Sequence, residues 1–432
     1  MFDTGEAVRR LLFLTFYLEW NTMGWVKKHL LELEEQGDWP SSELADKFVC
    51  TCHFEDQYLN GFIQKEGHKG KCSYCGKKGM VCDMETLGKH IMWNISLYYS
   101  PLDNAGLYFA DSFYDDEQEV IPGYKKIGDY IAPNELAYYD SVDELMYNLD
   151  LITEDEDLND DIKSCFTTEQ WISNDFDEEN KKIKYANQWD RFVKNVTYKG
   201  RFTFLATPEF RNLIQKKEGL SDDILSVLSD LIIEQGLVKA LPKGTKLYRA
   251  RKVDDVKVGY AFEDITSPPD DFAFPNRMSP AGISMFYASF EKDTATNECV
   301  GGESNGLIVG TFETVKDLKV IDLTSIPEQS FWVKNWQENQ FLHHFNENIT
   351  KRVDPKDTNH LQYIPTQVFT EFLRYMFRDD KGQQVDGLIY GSSKTKEKNI
   401  VLFCNQKESE KFVDKNVKIE KFERTVIWKA LK

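Results

Sequence analysis

Two short ligand pairs set the strongest constraint on this chain: Cys50-x2-His53, then 18 intervening residues, then Cys72-x2-Cys75-Gly76. Soft donors paired in this way, each pair able to sit on a tight turn, have the spacing of a four-ligand tetrahedral zinc site with no open coordination position. A segment of this kind folds around a metal rather than around a large apolar core. It predicts a small, loop-rich zinc-binding subdomain over residues 46–82, where Gly61, Gly67, Gly70, Gly76 and Gly79 also interrupt any continuous helix. Structural zinc is therefore expected, held by Cys50, His53, Cys72 and Cys75. Cys52 can replace His53, and Cys82, His68 and His90 are spare donors. The competing reading is a set of reduced thiols buried as small hydrophobes. A redox pair at Cys72 and Cys75 lacks an adjacent strand–helix–strand pattern.

The remaining cysteines, Cys165, Cys299 and Cys404, are scattered singly, which is no disulfide framework and fits a reducing cytoplasm. At the start, Arg9-Arg10 precedes the apolar run Leu11 to Leu18 and mimics a secretion signal. Glu6 before it, Glu19 after it and the lack of a small-residue cleavage site favour an amphipathic helix instead. No stretch approaches 18 uncharged apolar residues, so no membrane span is expected. Lys+Arg 53 against Asp+Glu 72 gives a net charge of −19, a field that repels polyanions, so nucleic acid is not an expected partner. Arg249, Arg251 and Arg277 nevertheless lie close together in sequence, marking a local anion site in an acidic protein.

A chain of 432 residues should hold two or three domains at roughly 100 to 200 residues each. Residues 1–45 read as one or two helices ending at Trp39-Pro40-Ser41-Ser42. From Met84 to Leu237 the pattern is mostly helical, including Glu218 to Gly236, while the acidic runs Asp115–Glu119 and Glu154–Asp161 read as solvated surface. Around Leu241-Pro242-Lys243-Gly244 the character changes to short β-type runs: Leu247–Ala250, Ile283–Ala288, Leu307–Phe312, Leu318–Leu323, Leu388–Tyr390 and Ile400–Phe403. The expected fold is multidomain, with a mainly helical N-terminal half over residues 1–237 and an α+β half over 238–432.

In that second half stand Leu247-Tyr248-Arg249-Ala250-Arg251, then Arg277 through Tyr287 to Ser289, then Thr294-Ala295-Thr296-Asn297-Glu298, and much later Asp386 through Tyr390-Gly391-Ser392-Ser393 followed by Asn399 to Phe403. Each alone reads as an ordinary surface Arg, core Tyr, helix Glu in a first turn, or loop Ser. Together and in this order they closely resemble the RES domain, a family named for its Arg, Glu and Ser and similar in fold to ADP-ribosyltransferases. The preceding segments resemble the zinc-containing helical HEPN/RES N-terminal domain, and Tyr363-Ile364-Pro365-Thr366-Gln367 through Glu371 fits the same subset. The resemblance places the family's two Arg on Arg249 and Arg277, its aromatic on Tyr287, its Glu on Glu298 and its Ser on Ser392. Arg251 can stand in for Arg249 and Ser393 for Ser392, because Gly391 replaces the Pro frequent in that loop.

The resemblance implies an enzyme that destroys NAD at the nicotinamide–ribose bond, as a glycohydrolase or, with phosphate as co-substrate, a phosphorylase. One carboxylate under the ribose stabilises an oxocarbenium-like transition state, which falls to Glu298. The diphosphate calls for planar bidentate donors, which falls to Arg249 and Arg277. Tyr287 would stack on nicotinamide or its ribose, and Ser392 would hydrogen-bond the ribose or orient Glu298. An NAD-draining enzyme harms its own cell, so the family implies a cytoplasmic toxin or antiphage effector. An antitoxin, a phage-derived trigger or a homo-oligomer would then hold it in check. The alternatives are an ADP-ribosyltransferase modifying a macromolecule, with the same five residues, and a non-catalytic zinc-dependent interaction protein. A HEPN ribonuclease, which would carry an Arg followed four to six residues later by His, finds no such pair among the seven His.

Overall fold

The computed structural model describes residues 44, 46–104, 108–109, 124–127, 130–133, 137–166, 168–173, 181–202, 224–299, 305–333, 335–351 and 360–423. The expectations for residues 1–43, Asp115–Glu119 and residues 218–223 lie outside the described residues. The chain forms two compact units, one comprising Met1–Asn180 with Ser330–Trp336, the other Lys181–Gln329 with Gln337–Lys432.

In the first unit, strand β1 (Phe48–Cys50) runs into a 3-10 turn at Thr51–His53, and helix α1 (Gln57–Glu66) follows. Asp56 caps α1 by accepting the backbone N–H groups of Tyr58 and Leu59 at 2.8 and 2.9 Å. Strands β2 (His68–Lys71) and β3 (Lys78–Asp83) are antiparallel neighbours in a sheet ordered β1-β3-β2, and the chain between them carries Cys72 and Cys75. Helix α2 (Met84–Tyr98) starts at Asp83, whose side chain accepts the Thr86 N–H at 2.8 Å, and buries Leu87, Ile91 and Ile95 at four-residue spacing.

Beyond α2 helices predominate among the described residues from Met84 to Leu237, as expected, but short strands that were not expected stand between them. Strands β4 (Tyr99–Pro101), β5 (Tyr108–Phe109), β6 (Tyr124–Ile127), β7 (Tyr130–Pro133) and β8 (Tyr138–Tyr139) precede helices α3 (Val142–Asn148) and α4 (Glu156–Lys163), and β9 (Trp171–Ser173) follows. They make two further three-stranded sheets, ordered β4-β9-β8 and β5-β7-β6. Tyr, Ile and Trp favour extended chain, but runs of two to four residues are too short to show a period of two. The core of this unit gathers Leu87, Ile91, Leu145, Ile162 and Trp171 with Phe331 and Trp332.

The second unit contains α5 (Lys181–Tyr198), α6 (Ile224–Glu234), β10 (Val238–Leu241), β11 (Lys246–Val253), α7 (Phe262–Ile265), β12 (Phe286–Ser289), α8 (Lys292–Cys299), β13 (Gly306–Glu313), β14 (Leu318–Asp322), α9 (Trp336–Thr350), α10 (Ile364–Tyr375), β15 (Gly387–Gly391), β16 (Lys398–Leu402) and β17 (Lys418–Glu423), α9 beginning one residue ahead of it. Its mixed sheet is ordered β10-β14-β15-β16-β12-β11-β13-β17, with β14 and β15 parallel. Strand alternation sends Phe286, Ala288, Ile389, Ile400 and Leu402 into one core. Leu388, Tyr390 and Val401 go into the other, with Leu228, Phe345 and Phe369 from α6, α9 and α10.

The α+β character expected for the C-terminal half is present, and each of its six expected strands overlaps an observed one. β10 and β17 were not foreseen: these edge strands, Val-Lys-Ala-Leu and Lys-Ile-Glu-Lys-Phe-Glu, show neither an apolar run nor strict alternation. The packing units do not follow the expected limit at 237/238: α5 and α6 precede it, yet their Trp189, Phe192, Leu228 and Ile232 belong to the core behind the sheet.

Candidate active site and candidate metal centre

Three neighbouring strands build the floor of the candidate active site. Asn399 on β16 pairs with Ser289 on β12 and with Tyr390 on β15, so these three residues form one row on one face of the sheet. Gly387 lets β15 approach β16, because a Cβ there would stand 2.4 Å from the Val401 carbonyl oxygen. Beyond β15 the Ser392 hydroxyl accepts the backbone N–H groups of Lys394 and Thr395 at 3.1 and 3.2 Å. It then donates to Glu298 Oε1 at 2.6 Å. Asn399 Nδ2 donates to the same oxygen at 3.0 Å, and Ser289 Oγ donates to Asn399 Oδ1 at 2.6 Å.

Glu298 is not in the first turn of a helix as expected. It is the penultimate residue of α8, where the dipole disfavours a carboxylate. The two donors on Oε1 offset that cost, and Lys394 Nζ donates to the carbonyl oxygens of Asn297 and Glu298 at 2.9 Å. The Glu298 side chain is exposed, whereas Ser289, Ser392 and Asn399 are buried.

Arg249 lies beside the one paired position that joins β11 to β12, Tyr248 with Ser289. Its Nη1 donates to the Tyr287 carbonyl at 2.7 Å, its guanidinium lies 5.7 Å from the Phe286 ring centre, and its buried Nε has no partner among the described residues. Burial pulls the guanidinium below its ordinary pKa. Arg251 is exposed and donates to the Asp264 carbonyl. Arg277 donates to the Ile349 carbonyl at 2.7 Å and stands 5.8 Å from the Tyr363 ring centre. Gln367 on α10 holds the turn around Arg277 through the carbonyls of Asn276 and Ser279, at 2.8 and 3.2 Å.

The Tyr287 hydroxyl is 2.8 Å from Ser279 Oγ, and burial pushes its pKa well up. Tyr390, absent from the sequence-based set, sits among all of these groups. Burial first, then the charges of Tyr287 and Glu298, raise its pKa, while Arg277 and Arg249 oppose the rise. Its alternation with Leu388 on β15 was the available signal. Ser393 is exposed beside Ser392, and Glu371 is half-buried on α10. A cavity of about 290 Å³ lined by Arg374, Val385, Asp386, Phe403 and Lys411 contains no member of this set and lies at the other end of β15 from Ser392.

In the first unit the donor atoms of Cys50, His53, Cys72 and Cys75 lie within 4.8 Å of one another. Cys72 Sγ is 3.3 Å from His53 Nε2, and Cys50 Sγ is 3.5 Å from Cys75 Sγ. Zinc bonded to sulfur at about 2.3 Å would hold tetrahedral thiolates ~3.8 Å apart, so this donor set fits zinc in size and in chemistry. Burial lowers the His53 pKa and favours the neutral imidazole that a metal requires. Cys52 Sγ lies 3.0 Å from Cys50 and 3.5 Å from Cys75, so a fourth thiol borders the set. Around it, Tyr74 donates to Asp161 at 2.7 Å and Lys47 pairs with the same carboxylate.

A mixed-sheet unit presenting a tethered carboxylate among two Arg and two Tyr, in a chain that also carries a Cys/His unit, defines the class of protein. The chain matches the HEPN/RES N-terminal domain 1 model over residues 65–210 and the RES domain model over residues 246–424. It belongs to the RES family, in the form that carries this N-terminal domain. Cys50 and His53 lie ahead of the first match. Among curated proteins, none matches the chain. The crystal structure of the M. tuberculosis MbcT-MbcA toxin-antitoxin complex aligns over 47% of this chain and 95% of that one, with 10% identity and a TM-score of 0.26. Among the described residues, no helix is long and apolar enough to cross a membrane.

Proposed function

We propose that the second unit is an NAD-degrading enzyme with the ADP-ribosyltransferase-like fold of its family, cleaving the nicotinamide–ribose bond. The observation that carries the reading is the Glu298 carboxylate, exposed toward solvent yet pinned through one oxygen by Ser392 and Asn399. As the bond to nicotinamide breaks, the electron pair leaves with nicotinamide and positive charge develops on the ribose. A carboxylate already fixed in place stabilises that charge without reorganising. Ser392 orients Glu298 rather than the ribose, because its lone pairs face two backbone N–H groups and its proton faces Oε1.

Tyr287 and Tyr390 supply an aromatic wall for nicotinamide. Arg277, with the free Nε of Arg249, faces the diphosphate. Water or phosphate then traps the ribose cation. Zinc bound by Cys50, His53, Cys72 and Cys75 would hold the first unit together without entering the reaction, since four protein ligands leave no position for substrate. In the cell this activity makes the protein a cytoplasmic toxin or antiphage effector restrained by a partner.

The test is purified full-length protein incubated with NAD, with and without phosphate, following nicotinamide release and the mass of the second product. Free ADP-ribose identifies hydrolysis, ADP-ribose phosphate identifies phosphorolysis, and label transferred to added lysate protein identifies macromolecular modification. Intact NAD in every arm would overturn the reading.

A further inference from the structure

The Glu298 anchor has a second layer behind it. An amide side chain can face a neighbour with either its oxygen or its NH2 group, and only the surrounding bonds decide which. At Asn399 the decision comes from Glu298, whose carboxylate only accepts, whereas a serine hydroxyl can donate or accept. With Nδ2 donating to Glu298 Oε1 at 3.0 Å, Oδ1 faces the buried Ser289 hydroxyl, which donates to it at 2.6 Å and anchors the far end of the amide. The flipped amide would set two acceptor oxygens against each other at that distance, a repulsive arrangement in a site where Asn399 is 5% and Ser289 3% exposed.

The strand register makes this orientation rigid. Ser289 and Asn399 are directly paired across β12 and β16, in a sheet whose hydrogen bonds hold both backbones. Ser392, in contrast, reaches Glu298 from the turn after β15, where Lys396 has a positive φ of 64°. The two donors thus come from different directions onto one oxygen. No donor among the described residues reaches Oε2, which is left to meet the substrate.

We propose that Asn399, anchored by Ser289, is a positioning residue that fixes the plane of the Glu298 carboxylate for the reaction; this rests on the NAD-cleaving reading of the same site. The amide proton removes rotational freedom about the last bond of Glu298 and keeps the carboxylate facing the ribose before the bond breaks. Ser289 touches neither Glu298 nor the substrate and acts only through the Asn399 amide.

The experiment compares NAD turnover by wild type, Asn399→Leu, Asn399→Asp, Ser289→Ala and Ser289→Thr, with KM, kcat and melting temperature measured for each. Losing one donor that matters in the transition state should lower kcat about tenfold in Asn399→Leu with KM held within about twofold. Asn399→Asp keeps the shape and the Ser289 bond but sets a second carboxylate against Glu298, and should lose about a hundredfold in kcat. Ser289→Ala removes the donor that anchors Oδ1, loosens the amide and should lose several-fold, while Ser289→Thr, which keeps the hydroxyl, restores it. If Asn399→Leu fails to fold, the Ser289 pair carries the same test. Wild-type turnover with unchanged kcat in Asn399→Asp and Ser289→Ala overturns the positioning role and leaves the NAD reading standing. A wild type that leaves NAD intact overturns the NAD reading instead.

Discussion

The Cys/His group of the first unit and the Glu298 group of the second are both polar clusters, yet they are assembled by opposite means. Cys50, His53, Cys72 and Cys75 are at most 25 residues apart and come from two turns flanking one small sheet. Glu298 meets Ser392 across 94 residues and Asn399 across 101, brought together only by the register of a large sheet. The first cluster closes on itself, with four donors arranged around a point. The second leaves one carboxylate oxygen open. A closed set suits a metal that holds chain together, and an open set suits chemistry on a ligand. The comparison predicts that damage to the first cluster is read in stability and damage to the second in turnover.

The largest effect should follow from breaking the first cluster. Structural zinc contributes on the order of 10 kcal/mol or more to small metal-built folds. Cys72→Ser with Cys75→Ser should therefore abolish hydrogen-exchange protection over residues 46–83 and lower solubility, with protection on β15 and β16 retained. Metal analysis of the unaltered protein should give about one zinc per chain. Freshly purified protein without zinc would remove the contrast between the clusters.

Breaking the second cluster should give the mirror result. Glu298→Gln keeps the shape and removes the charge, so kcat for NAD breakdown should fall about a hundredfold or more, with KM and melting temperature nearly unchanged. A Gln protein that still empties a cell of NAD when expressed would refute the role of Glu298.

A third effect distinguishes the units by pH. His90 on α2 stacks on Phe62 at 3.8 Å, and burial lowers its pKa to about 4. In the unfolded chain it titrates near 6.5. As pH falls from 6.5 toward 4, the unfolded chain takes up a proton that the native one refuses, so native stability drops over that window, by at most roughly 3 kcal/mol. Protection factors across Met84–Tyr98, corrected for the slower intrinsic exchange in acid, should be lower at pH 5 than at pH 7. His90→Gln should flatten that dependence, and an unchanged pH response in the variant would assign the acid sensitivity to another group.

The same contrast explains what could be read from the sequence. The metal set was legible because its information is local: two pairs of soft donors at turn spacing. The residues of the candidate active site were legible only through resemblance, since nothing in the neighbourhood of Asn399 says that β12 will lie beside β16 and deliver Ser289 to it. Tyr390 escaped for the same reason, as an apolar-looking strand residue until the register places it near Glu298, Arg249 and Arg277. Thr294-Ala295-Thr296-Asn297-Glu298 reads as the first turn of a helix, but α8 begins earlier, at Lys292. Asp161, within a run read as solvated, accepts Lys47 and Tyr74 beside the metal set. That pairing spans 114 and 87 residues and leaves no local trace.

The smallest expected effect concerns Arg277, where a binding role and a structural one make different predictions. Its guanidinium already donates to the Ile349 carbonyl and lies over Tyr363, so part of its fork is engaged within the protein. A contact to the diphosphate of NAD exists in the ground state and the transition state alike, and its removal therefore raises KM while sparing kcat. Arg277→Ala should raise KM for NAD about tenfold, and Arg277→Lys should recover only part of it because an ammonium lacks the planar bidentate geometry. If Arg277 only ties its turn to α9, the Ala variant instead loses melting temperature and keeps its KM. Measuring KM and melting temperature on the same preparations separates the two roles: a KM unchanged in Arg277→Ala would take Arg277 out of the substrate site.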